Sequence, residues 1–545
     1  MRRIGTWMGM VLLAGCAADA TGDAPARDGF VRAGDGKYDS SVEAIVLNFE
    51  FDGELLTDYA WNADRQIEEQ LLFTIGHLNG ERSVGRLDTV KISDVRTSVE
   101  SGHTVVRYHA ILPVAWGKKN SIPGTYTLRL PRDVSFNGIE TFTEKYMESC
   151  VDYGAHDVDS GSIWYYYRPN RAGCTIAASD LTTSVAGVSV STTNTTGKYP
   201  EYHKVWEDDV LRVVAVFGKN EDGETANTDP GIAAFNSFVG AVKTRLEADG
   251  VRTTPVNVSS TPGVGNPDIV LEADLGDGRS VSIVALLVDN VREAGPTFDA
   301  RYRTLSSDAD LIIYNGHAGL GSNVRALASK GTWVEGQYVV VMMNGCDTHA
   351  YVDGALAQPH QAVNPDDESG YRYLDMVTNA MPAFFTSLRR DSMAMVNGLL
   401  AYDSPKTYEQ IFLDFDPNQV VLVSGEEDNV YVPGYDPDSG APPADAAWGG
   451  LDESGTLALD EQHRYETPNL APGKYSFHVE GTGDADLYVR IGAPPDYQTF
   501  DCRPYRNGSV ESCEIELGSD APIHVMVHGY EGQTSYHLVG ARSDR

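Results

Sequence analysis

The sequence predicts a multidomain α/β protein, in which a largely parallel sheet is preceded by an α+β domain and followed by a β-sandwich. Three observations predict this fold class. Apolar strands alternate with helical spacing across roughly residues 205–430, as in parallel sheets covered on both faces. Residues 44–130 combine alternating strands with one helical pattern. Residues 456–545 alternate with a period of two between turn residues.

Composition supports folded cores and argues against nucleic acid as a partner. The 545 residues are 41% hydrophobic and 22% charged, which excludes a wholly disordered or collagen-like chain. There are 78 Asp and Glu residues against 42 Lys and Arg residues, for a formal net charge of −36. A protein that binds the phosphate backbone of a nucleic acid needs a basic surface, and this chain is strongly acidic. Its acidity fits an exported protein that could hold Ca²⁺. No run of 18 apolar residues follows residue 15, so no later membrane-spanning helix is predicted.

The first residues have the form of a bacterial lipoprotein signal. Two arginines precede an apolar run, and Leu13-Ala14-Gly15-Cys16 places small residues before a cysteine. The pattern predicts a signal peptide over residues 1–15, lipidation of Cys16, and a flexible tether over residues 16–37. It predicts a bacterial cell envelope lipoprotein at the outer membrane or cell surface, from which the protein could also be released. An ordinary secretory signal with an incidental cysteine is the alternative.

Export also governs the interpretation of the six cysteines. In an oxidising compartment, paired cysteines form disulfides. Cys502 and Cys513 lie 11 residues apart in a strand-rich segment, and Cys150 and Cys174 lie 24 apart, so these are the predicted pairs. With Cys16 lipidated, Cys346 is left as a free thiol, either buried and inert or reactive.

An N-terminal α+β domain is predicted over residues 38–180, with strands over 44–51, 104–116 and 124–130 and a helix over 64–78. It is either a prodomain or a substrate-docking module. Its aromatic run Trp164-Tyr-Tyr-Tyr167 belongs either to the core or to a stacking surface of the kind that binds carbohydrate. The Ser- and Thr-rich residues 182–197 have the composition of a linker.

The middle domain is predicted over residues 201–431. Its strands are expected over 211–217, 281–288, 310–314 and 338–343, and its helices over 232–246, 373–400 and 408–415. A Pro-, Gly- and Asp-rich linker over residues 432–455 then leads to a small β-sandwich over residues 456–545.

Two consecutive strands of the middle domain end in polar, glycine-bearing motifs. These are Leu311-Ile-Ile-Tyr-Asn-Gly-His-Ala-Gly319 and Val339-Val-Val-Met-Met-Asn-Gly-Cys-Asp347. Because parallel strands present their carboxyl ends at one sheet edge, His317 and Cys346 should lie within reach of one another. A base beside a thiol favours the thiolate, and glycines let a substrate backbone approach closely.

These two blocks are similar to the His and Cys blocks of clan CD cysteine peptidases, the group of caspases, legumain, clostripain and gingipains. The resemblance covers roughly residues 205–430 and implies a caspase-like α/β/α sandwich, with His317 as catalytic histidine and Cys346 as nucleophile. It also implies an oxyanion hole of backbone N–H groups from Ala318 or Gly319 and from Cys346. The chain departs from the family at His317-Ala318-Gly319, where His-Gly is usual.

The tail resembles the bacterial pre-peptidase C-terminal domain over about residues 455–542. The matching motifs are Gly483-Asp-Ala-Asp-Leu-Tyr-Val-Arg490, Asp501-Cys-Arg-Pro-Tyr505, Glu511-Ser-Cys513 and Val527-His-Gly-Tyr530. The resemblance implies a domain that accompanies secreted peptidases of several unrelated classes. It also implies that the domain could bind Ca²⁺ or an insoluble substrate.

Several rival interpretations stay open. No His-Glu-x-x-His and no Gly-x-Ser-x-Gly motif occurs, so neither a zincin nor a serine hydrolase is supported. The segment Cys346-Asp-Thr-His349 could form an incomplete metal site with His317. Cys346 could instead be an inert buried residue and His317 a structural one.

Acidic residues add two further candidates. Asp289 ends the strand before that of His317, so it either orients His317, lines a substrate pocket, or is a solvated strand-end residue. The loops Asp436-Pro-Asp-Ser-Gly440 and Asp484-Ala-Asp486 could hold structural Ca²⁺, although their oxygen spacing is not diagnostic.

Together these patterns predict a lipid-anchored cysteine endopeptidase that hydrolyses peptide bonds with a dyad of His317 and Cys346. A protein or peptide substrate is the expected partner, with no nucleic acid, no required cofactor, and membrane contact only through the N-terminal lipid. The C-terminal domain could bind a polymer or a surface. The alternative is a catalytically inactive surface lipoprotein that binds polymers or partner proteins through its β-sandwich.

Overall fold

The computed structural model describes residues 38–58, 61–100, 102–155, 157–351, 354–435, 448, 450–467, 470, 473–518 and 521–542. They form two compact units. The first contains Pro200–Asn429 and the described residues up to Thr196, and the second contains Gly197–Tyr199 and the described residues from Val430 onward. The predicted signal peptide, the tether, Cys16 and the loop over residues 436–440 lie outside the described residues.

The first part of unit one is an antiparallel sheet with helices on it. Strand β1 (Asp39–Ser40) precedes this sheet in the chain and belongs to the larger sheet described below. The strands of the antiparallel sheet are β2 (Ile45–Thr57), β3 (Val84–Gly85), β4 (Lys91–Glu100), β5 (His103–Trp116), β6 (Thr125–Pro131) and β7 (Leu181–Val190). Its helices are α1 (Ala63–Leu71), α2 (Phe73–Asn79), α3 (Phe136–Tyr146) and α4 (Ile163–Tyr166). The strand order is β3-β5-β2-β7-β6, with β4 paired to β5.

The linker predicted over residues 182–197 is wrong for its first half. Those residues form most of β7, which lies between β2 and β6 in the sheet. Thr and Val have high strand propensity, so a Thr-, Ser- and Val-rich stretch can pair as a strand when a neighbouring edge is available.

The second part of unit one is a nine-stranded mixed sheet covered by helices. Its strands are β8 (Val210–Gly218), β9 (Arg252–Thr254), β10 (Asp268–Asp274), β11 (Ser280–Val288), β12 (Leu311–Asn315), β13 (Val339–Asn344), β14 (Leu374–Asn379) and β15 (Val421–Ser424), joined by β1. Its helices are α5 (Tyr202–Val205), α6 (Pro230–Arg245), α7 (Pro296–Ser306), α8 (Ser322–Lys330), α9 (Ala357–Val363), α10 (Leu388–Leu399) and α11 (Tyr408–Phe412).

The strand order is β1-β15-β14-β13-β12-β8-β11-β10-β9. The five strands from β14 to β11 run parallel, and the strands outside them pair antiparallel. Helices α6 and α10 contact one face, while α7 and α8 share a core with the other. The predicted helix over residues 373–400 is wrong at its start, because its apolar first residues form the buried strand β14.

The two parts of unit one are closely joined. Strand β1, at the start of the first part, pairs with β15 of the second. Val420 and Leu422 share one hydrophobic core with Leu47 and Phe49. The segments predicted as separate domains over residues 38–180 and 201–431 therefore lie within one compact unit.

Unit two is a two-layered β structure. Its strands are β16 (Leu451–Leu457), β17 (Gln462–Glu466), β18 (Gly473–Thr482), β19 (Ala485–Ile491), β20 (Glu511–Leu517), β21 (Ile523–Gly529) and β22 (Thr534–Arg542). One sheet has the order β16-β22-β18-β20 and the other β17-β21-β19. Alternate residues such as Phe477, Leu487 and Val525 fill the core between them. The predicted multidomain architecture is confirmed at this level, and the described residues contain large mixed sheets. No described helix has the length and apolar character that a bilayer crossing needs.

Candidate functional site

The two motif-bearing strands lie side by side. In the register of β12 and β13, Asn315 is opposite Asn344, so the Gly316 and Gly345 turns follow at the same sheet edge. Gly316 has a φ of 152°, and a Cβ placed on Gly345 would lie 2.8 Å from the Gly316 carbonyl oxygen. The two blocks thus touch through glycine backbone, as close approach requires.

A row of buried amides lies beneath these turns. The Asn344 Nδ2 donates to Asn315 Oδ1 at 3.0 Å, and the Asn379 Nδ2 donates to Gln419 Oε1 at 2.8 Å. The three asparagines end β12, β13 and β14 and are fully buried. Buried amides need such partners, so the row fixes the strand ends relative to one another. The sequence signal was available: an asparagine closes each of three consecutive apolar runs.

His317 is held by backbone carbonyl and by an aromatic ring. Its Nε2 lies 3.0 Å from the Asn220 carbonyl oxygen and therefore carries the proton, which leaves the lone pair of a neutral ring on Nδ1. Its ring packs edge-on against Phe385, with centroids 5.1 Å apart.

Asp289 binds two residues of the loop that contains Asn220. Its Oδ1 lies 2.6 Å from the Lys219 Nζ and accepts a hydrogen bond from the Gly223 N–H at 3.0 Å. Partial burial opposes ionisation, yet these donors hold the pKa of Asp289 below its ordinary value. Any influence of Asp289 on His317 therefore passes through this loop.

Cys346 is not a free thiol. It is disulfide-bonded, 5% exposed, and its Sγ lies 3.5 Å from the Ala383 carbonyl oxygen. The expectation of a free thiol is wrong in this structure, because a nucleophilic cysteine needs an unbonded sulfur. Without a free thiol there is no nucleophile whose reaction the oxyanion hole expected from Ala318, Gly319 and Cys346 could assist. The other bonds join Cys150 to Cys174 and Cys502 to Cys513.

The first part of unit one covers this sheet edge. The Asn79 Nδ2, at the end of α2, donates to Asp347 Oδ1 at 2.8 Å. Asp347 is fully buried with a φ of 52°. Burial raises its pKa to about 6, although the hydrogen bond from Asn79 favours the charged form. The aromatic run over residues 164–167 is buried, so it belongs to the core, with Trp164 against Tyr351.

A cavity of about 570 Å³ opens beside this contact. One wall comes from the end of α2, from residues 152–154 and from residues 165–172, and the other from Met381, Pro382 and Phe384 after β14. The volume lies in the range of small-ligand sites. Because Asp347 N–H donates to the Met381 carbonyl at 3.2 Å, the cavity wall is continuous with the motif that carries Cys346.

The described residues do not fit a bound metal. No three His, Cys, Asp or Glu side chains among them are grouped so that they could hold an ion. The alternative of a site built from Cys346, His349 and His317 fails because the sulfur is bonded and the His349 Nδ1 lies 3.0 Å from the Thr378 hydroxyl. In the loop predicted to hold Ca²⁺, Asp484 accepts from Gly508 N–H and Asp486 pairs with Arg503.

No family model matches the chain. It is 47% identical over 58 residues to a zinc metalloprotease of Helicobacter pylori, covering 11% of this chain and 23% of the relative. It is 34% identical over 84 residues to a virulence metalloprotease of Vibrio anguillarum, covering 15% and 14%. It is 40% identical over 58 residues to alkaline serine exoprotease A of Vibrio alginolyticus, covering 11% of each. The chain thus spans less than a quarter of the length of these curated relatives.

Among solved structures, the chain is similar to the pre-peptidase C-terminal domain of a collagenase from Bacillus anthracis. The identity is 12%, over 17% of this chain and 89% of that one, and the TM-score is 0.14. A score of this size supports no conclusion about fold or function.

The names of the relatives correct the sequence-based interpretation. Two of the three relatives are metalloproteases and none is a cysteine peptidase, so the clan CD resemblance and the cysteine endopeptidase inferred from it are wrong. Nothing in the comparisons supports a caspase-like fold, and the description that stands is a mixed sheet covered by helices. The expectation that no cofactor is required is also overturned, since one relative is named for zinc. The described residues offer no place for zinc, and we derive no step through it.

Proposed function

We propose that this chain is an exported, protease-related protein that engages protein or peptide substrates. The proposal is supported by what the relatives have in common. One is named as a zinc enzyme and another as a serine enzyme, although the matched stretch is 58 residues in each case. Relatives that differ in mechanism do not set the mechanism of this chain, and what their names share is action on protein.

Within this proposal, the cavity beside Asp347 is the place of substrate contact. It lies at the carboxyl ends of parallel strands, where ligands of open α/β sheets usually bind. The test uses the full chain with casein as an unfolded protein and lysozyme as a folded one. We expect casein to bind more tightly in surface plasmon resonance, and mass spectrometry with and without added Zn²⁺ reports any cleavage. Failure of both proteins to bind would refute the proposal.

We further propose that Cys16 anchors the exported chain by a lipid. The proposal is supported by the sequence Leu13-Ala14-Gly15-Cys16, which places small residues before a cysteine. Metabolic labelling with a fatty acid should mark the wild type and not Cys16→Ser. An unlabelled wild type would refute the anchor.

A further inference from the structure

Most charged groups on the wall of the cavity beside Asp347 are paired with an opposite charge. The four charged residues of the wall are Glu81, Asp152, Arg168 and Arg171. Glu81 pairs with Lys118, and Asp152 pairs with Arg168 at 3.4 Å. The Arg171 guanidinium donates to the Val151 carbonyl, which is a neutral partner. Both carboxylates of the wall are therefore already paired with a cation.

Two polar uncharged side chains of the wall, Asn79 and His77, also have hydrogen-bond partners within the protein. Asn79 donates to Asp347 and to the Ser83 carbonyl, and accepts from Arg168. The His77 Nε2 accepts from the Arg129 N–H at 3.2 Å. Burial lowers the pKa of His77 to about 4, so the ring is neutral at physiological pH. A cationic ligand would therefore lose its hydration on entering without gaining an opposite charge, because Glu81 and Asp152 are already paired.

Much of the remaining cavity lining is apolar or aromatic. Met381 and Pro382 are half-buried on one side, and buried Tyr165 and Tyr166 line the other. Two exposed rings stand at the rim: Tyr153 is 77% exposed and Phe384 is 36% exposed. The Arg171 guanidinium lies 3.7 Å from the centroid of the Tyr153 ring, which holds that ring in place. Exposed aromatic rings around an apolar pocket are typical of binding sites.

From this wall we propose that the cavity binds an aromatic or large aliphatic side chain of an extended polypeptide. That the ligand is a polypeptide rests on the proposed function. The class of side chain that binds is inferred from the residues of the cavity wall. The volume of about 570 Å³ accommodates a side chain together with neighbouring backbone. Burying such a side chain contributes roughly 1.5–3 kcal/mol, which corresponds to a preference of about ten- to a hundred-fold over a side chain that stays in water.

The test uses the full chain and fluorescein-labelled heptapeptides of Gly, Ser and Ala that differ in one central residue. We expect the Phe and Leu peptides to bind at least ten-fold more tightly than the Glu and Lys peptides in fluorescence anisotropy. Tyr153→Ala and Phe384→Ala should each weaken the Phe peptide about five-fold or more. Both rings are exposed, so the variants should keep the wild-type melting temperature.

Tyr505→Ala is the matched control. Tyr505 is 65% exposed and also has an arginine, Arg503, 3.7 Å from its ring centroid, yet it lies in unit two. This variant should bind the Phe peptide as the wild type does. Equal affinity for all four peptides, or equal weakening by Tyr505→Ala, would overturn the inference. Casein run in parallel separates the two proposals: casein binding without peptide discrimination refutes only the inference, whereas no binding of either refutes the proposed function. Binding of decanoate in place of the peptides would show a lipid site and also overturn it.

Discussion

The side-chain amide of Asn79 donates a hydrogen bond of 2.8 Å to Asp347, a residue 268 positions away in the chain. Both side chains are buried, and the bond joins the end of α2 to the turn after β13. It fixes one wall of the cavity against the sheet edge where the two conspicuous sequence motifs end. Contacts between residues that are far apart in the chain decide which of the sequence-based expectations are correct.

Loss of either partner of this bond should destabilise unit one, because the other is then left buried without its partner. We expect Asn79→Ala and Asp347→Ala each to cost about 1–3 kcal/mol in the free energy of unfolding. In a double-mutant cycle, the two effects should be non-additive by 1 kcal/mol or more. The exposed pair Arg252 and Asp274 supplies the control cycle, with an expected coupling below about 1 kcal/mol. Additive effects at Asn79 and Asp347 would show that the bond contributes nothing.

Gly345→Ala should be destabilising although the change is a single methyl group. The added Cβ would lie 2.8 Å from the Gly316 carbonyl oxygen, so one strand end must shift. We expect a loss of roughly 1–3 kcal/mol in urea unfolding. Gly240→Ala is the control, since a Cβ on that exposed glycine of α6 meets nothing within 4 Å. It should be neutral or stabilise the helix by up to about 1 kcal/mol. Equal melting temperatures for the two variants would contradict the close approach.

Asp375 should make the protein less stable as pH rises. Its Oδ2 accepts from the Tyr338 hydroxyl at 2.5 Å, the Tyr408 hydroxyl at 2.5 Å and the Asn429 amide at 2.6 Å. Burial nevertheless outweighs these bonds and raises the pKa to about 7, from an ordinary value of 3.8. The folded state therefore holds a proton that the unfolded state releases near pH 4. Its stabilising effect is present below pH 4 and is lost as pH rises towards 7.

Asp375→Asn should flatten this dependence, because the variant side chain does not ionise. Between pH 4 and pH 8, the wild type should lose on the order of 2–4 kcal/mol more of its unfolding free energy than the variant. The measurement is urea unfolding at several pH values, with the exposed Asp274→Asn as control. Parallel curves for the wild type and Asp375→Asn would contradict the shifted pKa.

The Cys150–Cys174 and Cys502–Cys513 disulfides should stabilise different parts of the chain. Replacing Cys150 and Cys174 by Ser removes a cross-link between residues 24 apart in unit one, which should cost about 3 kcal/mol. Replacing Cys502 and Cys513 should act on unit two by a similar or slightly smaller amount. Hydrogen exchange resolved by peptide should show increased exchange in the unit that holds the removed bond. Increased exchange spread equally over both units would contradict this assignment.

The sequence alone was sufficient for elements whose burial pattern is local. Strands β12 and β13 are continuous apolar runs because both of their faces are covered, and the alternation in β18 and β19 follows from a sheet with one buried face. Strand β7 was missed because its Ser and Thr residues resemble a linker until β2 and β6 are placed beside it. Strand β14 was missed because a short apolar run fits a helix as well as a strand.

For the candidate site, too, some features follow from the sequence and others only from the tertiary structure. The sequence predicted that the His317 and Cys346 motifs follow consecutive strands, and the pairing of β12 with β13 shows that these two strands are neighbours. Only the tertiary structure decided that the sulfur is bonded, that His317 faces the Asn220 carbonyl, and that Asn79 closes over the sheet edge. The His317 and Asn79 contacts join residues 97 and 268 positions apart in the chain. They form when packed layers bury polar groups that must find partners, and no local pattern of residues specifies which partner that will be.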